Sequence, residues 1–190
     1  MKETIVHSLQ EHLSVAEEFV NNPETADAIG QAARLIAESI KDGGKVLTCG
    51  NGGSLCDATH FAEELTGRFR NSRGPLPAIA LNDPAHITCT TNDYSFEEIF
   101  SRYVEALGRP GDVLCGFSTS GTSANVVKAA RVAREMGMKV IGFTKAGETP
   151  LAGLSDVLIA VPHDGYSDRI QEMHITAVHI IIEAVEALVK

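Results

Sequence analysis

The stretch from Lys45 to Arg68 constrains the fold of this chain more than any other part of its sequence. It reads KVLTCGNGGSLCDATHFAEELTGR, in which an apolar run at 46–49, typical of a buried strand, precedes a glycine-rich loop at 50–54. The spacing of apolar residues then predicts a helix over 57–65. Together these features predict an anion-binding loop, because glycine lets the backbone approach a ligand and the first N–H groups of a helix lack internal partners.

The loop matches neither GxxxxGK[ST] nor GxGxxG, so it predicts neither a nucleoside triphosphate site nor a dinucleotide site. His60 and Glu64 follow at a spacing that puts both on one face of the predicted helix. An anion-binding loop beside a His/Glu pair favours acid–base chemistry on a phosphorylated small molecule. These residues alone leave an alternative open, in which the loop binds no ligand and His60 and Glu64 are only a solvated surface pair.

Apolar spacing also predicts the other elements of the chain. Two helices precede the first strand, and Asn92–Ser95 are expected to begin a helix that continues over 96–107. The predicted helices are 3–20, 24–41, 85–91, 96–107, 124–136 and 167–189, and the remaining strands are 78–81, 112–117, 139–143 and 156–161. Strands that alternate with helices predict an α/β fold with a five-stranded parallel sheet flanked by helices. We expect a single domain over 1–190, with an N-terminal helix pair at 1–44 and the sheet and its helices at 45–190.

The two terminal helices suggest self-association. One face of the first predicted helix is apolar and carries Ile5, Leu9, Leu13, Ala16 and Val20. A helix pair added before a sheet often covers one of its faces or forms a subunit contact. The long closing helix is apolar nearly all round, which favours an oligomer core over burial within one chain.

Composition narrows the class of protein. A length of 190 residues suits one domain, and the net charge of −9 without a basic stripe argues against nucleic acid as a partner. The first residues have no apolar signal-peptide core and no run is long enough to span a membrane, so we expect a cytoplasmic protein without a membrane partner. Four cysteines without a CxxC pair are expected to be buried, reduced thiols.

A second loop, like the first, follows a predicted strand and precedes a predicted helix. Residues 118–123 read STSGTS, with five hydroxyl side chains in six residues before a predicted helix. One hydroxyl would suffice to cap that helix, so the surplus predicts phosphate binding without a lysine. Both loops follow strands, and ligands of open parallel sheets bind at the carboxyl ends of strands.

The closing helix carries Asp168, Gln171, His174 and His179. Asp168 and Gln171 have the spacing of a pair that only stabilises a helix start. A histidine in an apolar helix, such as His179, is more often a satisfied core group than a ligand.

Taken together, these motifs resemble the sugar isomerase (SIS) domain family over nearly the whole chain. The matching segments are CGNGGS at 49–54, HFAEELTGR at 60–68, ND at 92–93, STSG at 118–121, SANV at 123–126, and RIQEMH at 169–174 with His179. The resemblance implies the SIS fold and an aldose–ketose isomerase that works through an enediol or enediolate. The implied reaction converts sedoheptulose 7-phosphate to D-glycero-D-manno-heptose 7-phosphate, the first step toward ADP- or GDP-heptose for lipopolysaccharide core or other glycans.

The resemblance also implies residue roles and a homotetramer with active sites at subunit contacts. Glu64 and His179 would be the catalytic acid–base pair, and one zinc ion per subunit would be held by His60, Glu64, Gln171 and His179. The implied phosphate ligands are Ser118, Thr119, Ser120 and Ser123. The other implied substrate-binding residues are Asn51, Gly52, Gly53, Ser54, Glu64, Arg68, Asn92, Asp93, Asp168 and Gln171.

Two features of this implied zinc site conflict with simple chemistry. A glutamate bound to zinc is a weaker base, and glutamine is an unusual zinc ligand. Gln171 and His179 are eight residues apart, which is roughly 12 Å along a helix, so we hypothesise that a neighbouring chain supplies one of them.

Three other functions compete with this interpretation. One is a non-catalytic SIS protein like the DnaA initiator-associating protein, which lacks the catalytic Glu and His that this chain retains at Glu64 and His179. Another is an isomerase for a different sugar phosphate, such as arabinose 5-phosphate or hexulose 6-phosphate. The third is a sugar-phosphate sensor without turnover.

Overall fold

The computed structural model describes residues 1–189 as seven α-helices, five β-strands and two short 3₁₀ turns. The helices are α1 Lys2–Asn21, α2 Pro23–Lys41, α3 Gly53–Thr66, α4 Pro84–Asp93, α5 Ile99–Leu107, α6 Ala124–Glu135 and α7 Ser167–Leu188. The strands are β1 Val46–Gly50, β2 Ala78–Ala80, β3 Val113–Phe117, β4 Lys139–Lys145 and β5 Val157–Val161. The 3₁₀ turns are Phe96–Glu98 and Ala152–Leu154.

The strands form one parallel sheet in the order β2-β1-β3-β4-β5. The predicted α/β fold with a five-stranded parallel sheet is therefore confirmed. After β1 the chain builds β2 on one side and then β3 on the other, so the strand order reverses between β1 and β3. Such a reversal opens a crevice at the carboxyl ends of the two strands, which is where open α/β sheets bind ligands.

Helices cover both faces of the sheet and form two hydrophobic cores. One core lies between the sheet and α1, α2, α3 and α7, and includes the fully buried rings of Phe61, Phe117 and Phe143. The other lies between the sheet and α5 and α6, and includes Phe100 and Val126. β1 and β3 are buried at every residue, as expected of strands covered on both sides.

Two predicted element boundaries are wrong. Helix α3 begins at Gly53 rather than at residue 57, because Gly52 adopts a φ of 55° that turns the chain directly into the helix. Gly53 and Ser54 therefore belong to its first turn and not to the loop. Asn92 and Asp93 end α4 instead of beginning the next helix, and the following helical segment starts as a 3₁₀ turn at Phe96.

The apolar surfaces of the two terminal helices are placed differently. The apolar residues of α7 pack mainly inside this chain, which is the alternative to an oligomer core. On α1, Val15 and Phe19 are buried, whereas Ile5, Leu9 and Leu13 of the predicted apolar face are 54%, 64% and 56% exposed. The face exists, but it points away from the chain's own core.

Cys49 and Cys115 are buried as expected, but Cys56 and Cys89 are exposed, so the expectation of buried thiols is wrong for these two. Within residues 1–189, no helix combines the length and apolar character needed to cross a membrane.

Helix α7 runs beside α3 in the same direction, and this arrangement positions most of the site. The Gln171 side chain meets Gly53 at the start of both helices, and His179 meets His60 further along. Beyond the end of α3, Arg73 pairs with Glu186 of α7.

His174 makes the fold sensitive to acid. Its imidazole is fully buried edge-on against Phe117 and Phe143, and its Nε2 lies 3.4 Å from the Thr144 carbonyl oxygen. Burial lowers the pKa of His174 from 6.5 to about 4, and the hydrogen bond to Thr144 only partly opposes this effect.

We predict that His174→Phe reduces acid destabilisation. Between about pH 6.5 and about pH 4 the unfolded chain binds a proton at His174 that the folded chain does not, so the free energy of unfolding decreases by about 3 kcal/mol as pH falls. Urea unfolding of both proteins across this range measures the difference. Identical pH dependence in the two proteins would contradict the assignment.

Candidate active site

The two predicted anion loops lie side by side at the carboxyl ends of neighbouring strands. Gly50 at the end of β1 pairs with Phe117 at the end of β3. The side-chain amides of Asn51 and Asn125 join the loops through two reciprocal hydrogen bonds of 2.9 Å. Asn125 is buried, so this amide pair fixes one loop relative to the other.

The second loop presents hydroxyls at an uncapped helix start. The Ser118 hydroxyl donates to Ser123 Oγ at 2.9 Å, and the hydroxyls of Ser120 and Thr122 are 2.8 Å apart. Ser123 is the N-cap residue of α6, but its side chain makes no capping bond. None of the hydroxyls is used as the N-cap of α6, and the N–H groups of Ala124 and Asn125 are available to an anion, whereas the Val126 N–H donates to Asn125 Oδ1 at 2.9 Å.

The first loop requires glycine at its junction with α3. The Gly52 N-cap offers no side-chain cap, and the N–H groups of Gly53 and Ser54 are available, whereas the Leu55 N–H already donates to the Gly52 carbonyl oxygen at 3.0 Å. A Cβ atom on Gly53 would lie 2.5 Å from Gln171 Oε1 and 2.8 Å from its Nε2. Only glycine at this position lets the Gln171 amide lie against the loop.

A second cluster lies further along the same helix pair. His60 Nε2 is 3.0 Å from His179 Nε2 and 3.5 Å from Glu64 Oε1. His60 Nδ1 is 3.5 Å from Glu63 Oε2, so a carboxylate stands at each ring nitrogen of His60. Phe69 stacks on the imidazole of His179 with ring centroids 5.7 Å apart.

The electrostatics of this cluster favour a neutral His179. Partial burial lowers the pKa of His179, and the nearby His60 lowers it further, while Glu64 opposes both effects. One turn before His60, burial raises the pKa of Asp57 to about 6, and its Oδ2 has no hydrogen-bond partner among the described residues. Neutral imidazole suits either proton transfer or metal binding.

The structure separates the predicted site residues into groups. Both loops and Gln171 form one group, and His60, Glu64 and His179 form another about two helical turns away. Arg68, Asn92, Asp93 and Asp168 are exposed at the ends of helices. Asn92 donates to Asp93 at 2.8 Å, and this bond together with Cys89 lowers the pKa of Asp93.

Sequence reasoning assigned no role to Asn125, Glu63 or Phe69, which hold site residues in place. A signal existed for Asn125, because it lies within the SANV segment directly after the hydroxyl loop. Its partner Asn51 is 74 residues away in sequence, so the pairing itself was not visible.

Comparison with known proteins shows which family this chain belongs to. The model of the SIS domain matches residues 10–145 of this chain. The chain belongs to the SIS-domain family. The SIS fold implied by the sequence is thereby confirmed, together with the expectation of an isomerase.

Relatives within the SIS-domain family match over almost their full length. The chain is 55% identical to the phosphoheptose isomerase of Escherichia fergusonii over 185 residues, which cover 97% of this chain and 96% of that one. It is 56% identical to the phosphoheptose isomerase of Serratia proteamaculans over 178 residues, or 94% and 92% of the two chains. The solved phosphoheptose isomerase of Neisseria gonorrhoeae has a TM-score of 0.91 at 39% identity and covers 98% of both chains.

We predict that Glu64→Gln lowers the pKa of His179 further, because the substitution removes the negative charge that opposes the other effects. His60→Gln should raise it, because it removes a neighbour that disfavours the imidazolium. Titration of the His179 C2 proton by NMR in metal-free protein measures both changes. A pKa that rises in Glu64→Gln would show that the two side chains do not interact as described.

Proposed function

We propose that this chain converts sedoheptulose 7-phosphate to D-glycero-D-manno-heptose 7-phosphate. The observation that carries the proposal is the position of His60, which lies 3.0 Å from His179 of α7 and 3.5 Å from Glu64. His60 and Glu64 lie on α3, the helix that starts at an anion loop. The identity of 55% to a phosphoheptose isomerase along nearly the whole chain supports the choice of substrate.

The phosphate would bind at the hydroxyl loop of Ser118, Thr119, Ser120 and Ser123, where the N-terminus of α6 favours negative charge. This loop adds no positive charge, which suits an acidic protein. The amides of Asn51 and Gln171 would then contact the sugar hydroxyls beside the loops.

The reaction moves the sugar carbonyl from C2 to C1. In our proposal Glu64 takes the proton from C1 of the ketose, which gives an enediolate, and returns a proton to C2. A second proton moves between the two oxygens, and His179 in its neutral form is suited to transfer it. The same pairing of a carboxylate base with an imidazole serves an aldose–ketose isomerisation in triosephosphate isomerase, on an unrelated fold.

Two of the donor separations in the cluster suit a zinc ion, whereas among the described residues the three whose donor atoms all lie within 4.8 Å of one another are His60, Glu63 and Glu64. Ligands at about 2.0–2.1 Å around a tetrahedral metal are about 3.3 Å apart, and the separations in the cluster are 3.0 and 3.5 Å. His60, Glu64 and His179 would hold the ion, and Glu63 would orient His60 through its other nitrogen. Glu64 would bind through one carboxylate oxygen and act as the base through the other, and His179 would bind through one ring nitrogen and transfer the proton through the other. When bound, zinc would polarise the carbonyl oxygen. Gln171 of the same chain lies too far along α7, so we propose that a neighbouring chain supplies it.

We also propose a homotetramer whose subunit contacts complete the site. The outward apolar face of α1 supports self-association, because contiguous exposed apolar residues mark interaction surfaces. α1 is joined to the first turn of α7 by Arg169, which pairs with Glu11 at 3.0 Å. A partner that packs on α1 would thus lie near Asp168 and Gln171.

The proposed product is a precursor of ADP- or GDP-heptose for lipopolysaccharide core or other glycans, and we place the reaction in the cytoplasm. The four free cysteines are compatible with a reducing compartment.

We predict that purified protein isomerises sedoheptulose 7-phosphate, that chelation abolishes turnover and that added zinc restores it. Aldose formation followed by NMR measures this. Turnover that is indifferent to metal would remove zinc from the proposal, and turnover of arabinose 5-phosphate alone would replace the substrate.

Glu64→Gln is the matched variant for this assay, because it keeps the shape of the side chain and removes the base. Its turnover should be lower by at least about a hundredfold while sedoheptulose 7-phosphate still binds. Binding without turnover in the unmodified protein would favour a sensor or a non-catalytic SIS protein.

For self-association, we predict that Leu9→Glu combined with Leu13→Glu breaks the assembly, because it puts charge on the outward face of α1. Leu188→Glu is the control, since Leu188 is also an exposed leucine but lies on α7. Sedimentation velocity should show smaller particles for the double variant only. An unmodified protein that is already monomeric would refute the tetramer.

A further inference from the structure

Arg73 lies in the segment between α3 and β2, outside every motif that the proposed function uses. Its side chain is only 13% exposed. Nη2 donates to the carbonyl oxygen of Glu64 at 2.7 Å, and Nη1 donates to that of Leu65 at 2.9 Å. Nη1 also lies 3.1 Å from the carbonyl oxygen of Gly74, and Nε donates to Glu186 Oε1 at 2.8 Å.

These bonds supplement the C-cap of α3, where the Gly67 N–H donates only to the Glu63 carbonyl oxygen. The last carbonyl groups of a helix have no partners within it, and a positive charge there is favourable. The last turn of α3 contains no basic residue, and Arg73 supplies the charge from outside the helix. One of the carbonyl groups that it binds belongs to Glu64, so the guanidinium fixes the backbone of the proposed base.

The ion pair between Arg73 and Glu186 fixes the position of α7. Glu186 is 5% exposed and follows His179 by seven residues, which puts both on nearly the same face of the helix. A buried ion pair is retained only when its geometry and hydrogen bonding are good, and Arg73 meets this condition with partners at each of its three nitrogens. The pair joins the turn that carries Glu64 to the helix that carries His179.

We propose that Arg73 and Glu186 are positioning residues that set the separation of Glu64 from His179. This inference rests on the proposed function, because it assigns the pair a purpose in that reaction. An error of about 1 Å in the placement of catalytic groups can lower the rate about a hundredfold, so a tie between their two helices bears directly on turnover.

The chain contains a matched control for the ion pair. Arg70 and Glu183 connect the same two segments one turn earlier on α7, with 2.6 Å between Nη1 and Oε1. Their side chains are 59% and 52% exposed, so solvent screens this pair and it should contribute little.

The test compares Arg73→Lys and Glu186→Gln with Glu183→Gln. Lysine keeps the charge of Arg73 but cannot bind several carbonyl groups and a carboxylate at once. Glutamine keeps the shape of Glu186 and removes its charge. We expect kcat per folded molecule to be about tenfold lower in the first two variants, with KM within about twofold of the unmodified protein. Glu183→Gln should keep both constants. Folded fraction is measured by circular dichroism in the same samples.

Two results would overturn the proposal. One is a loss of thermal stability in Arg73→Lys and Glu186→Gln with kcat per folded molecule unchanged, which would make the pair structural only. The other is an equal loss of kcat in Glu183→Gln. If the unmodified protein has no turnover, the proposed function fails, and the positioning role is tested separately by the NMR shift of the His179 C2 proton. The shift is measured well above the pKa of His179, where the imidazole is neutral in every variant and the charge of Arg70 does not change its protonation. That shift should change in the first two variants and not in Glu183→Gln, and an unchanged shift in all three would refute the positioning role.

Discussion

The parallel packing of α3 against α7 is the constraint on which the rest of the site depends. At one end the helices approach closely because Gly53 has no side chain to displace Gln171. At the other end Arg73, which is largely buried, bridges the last carbonyl groups of α3 to Glu186. Between these two contacts His60 meets His179 at 3.0 Å. A rotation of either helix about its axis would separate all three pairs at once.

A second constraint comes from the order of the strands. The reversal between β1 and β3 puts two helix N-termini at one crevice, and the pairing of Asn51 with Asn125 keeps them in register. This arrangement would let a chain with a net charge of −9 offer a site to the proposed phosphate. The attraction would come from oriented N–H and O–H groups at short range and would not depend on the overall charge of the protein.

The sequence predicted all five strands and the helices, because buried parallel strands and amphipathic helices have strong periodic patterns. It misplaced the start of α3, because the φ of Gly52 cannot be read from a run of glycines. Periodicity identified the apolar face of α1 but not the direction in which that face points. Arg73 carried no local signal, since its partner Glu186 is 113 residues away and its other partners are backbone groups.

The starts of α3 and α6, which lack side-chain caps, affect the stability of the protein when a ligand binds. The first two N–H groups of each helix have no partner among the described residues, and the proposed phosphate would supply one. The ligand then acts as a removable component of the fold, and its binding free energy adds to the free energy of unfolding. Bound sugar phosphate would therefore protect the folded chain against proteolysis in the test tube, because it lowers the population of the unfolded form that proteases cleave.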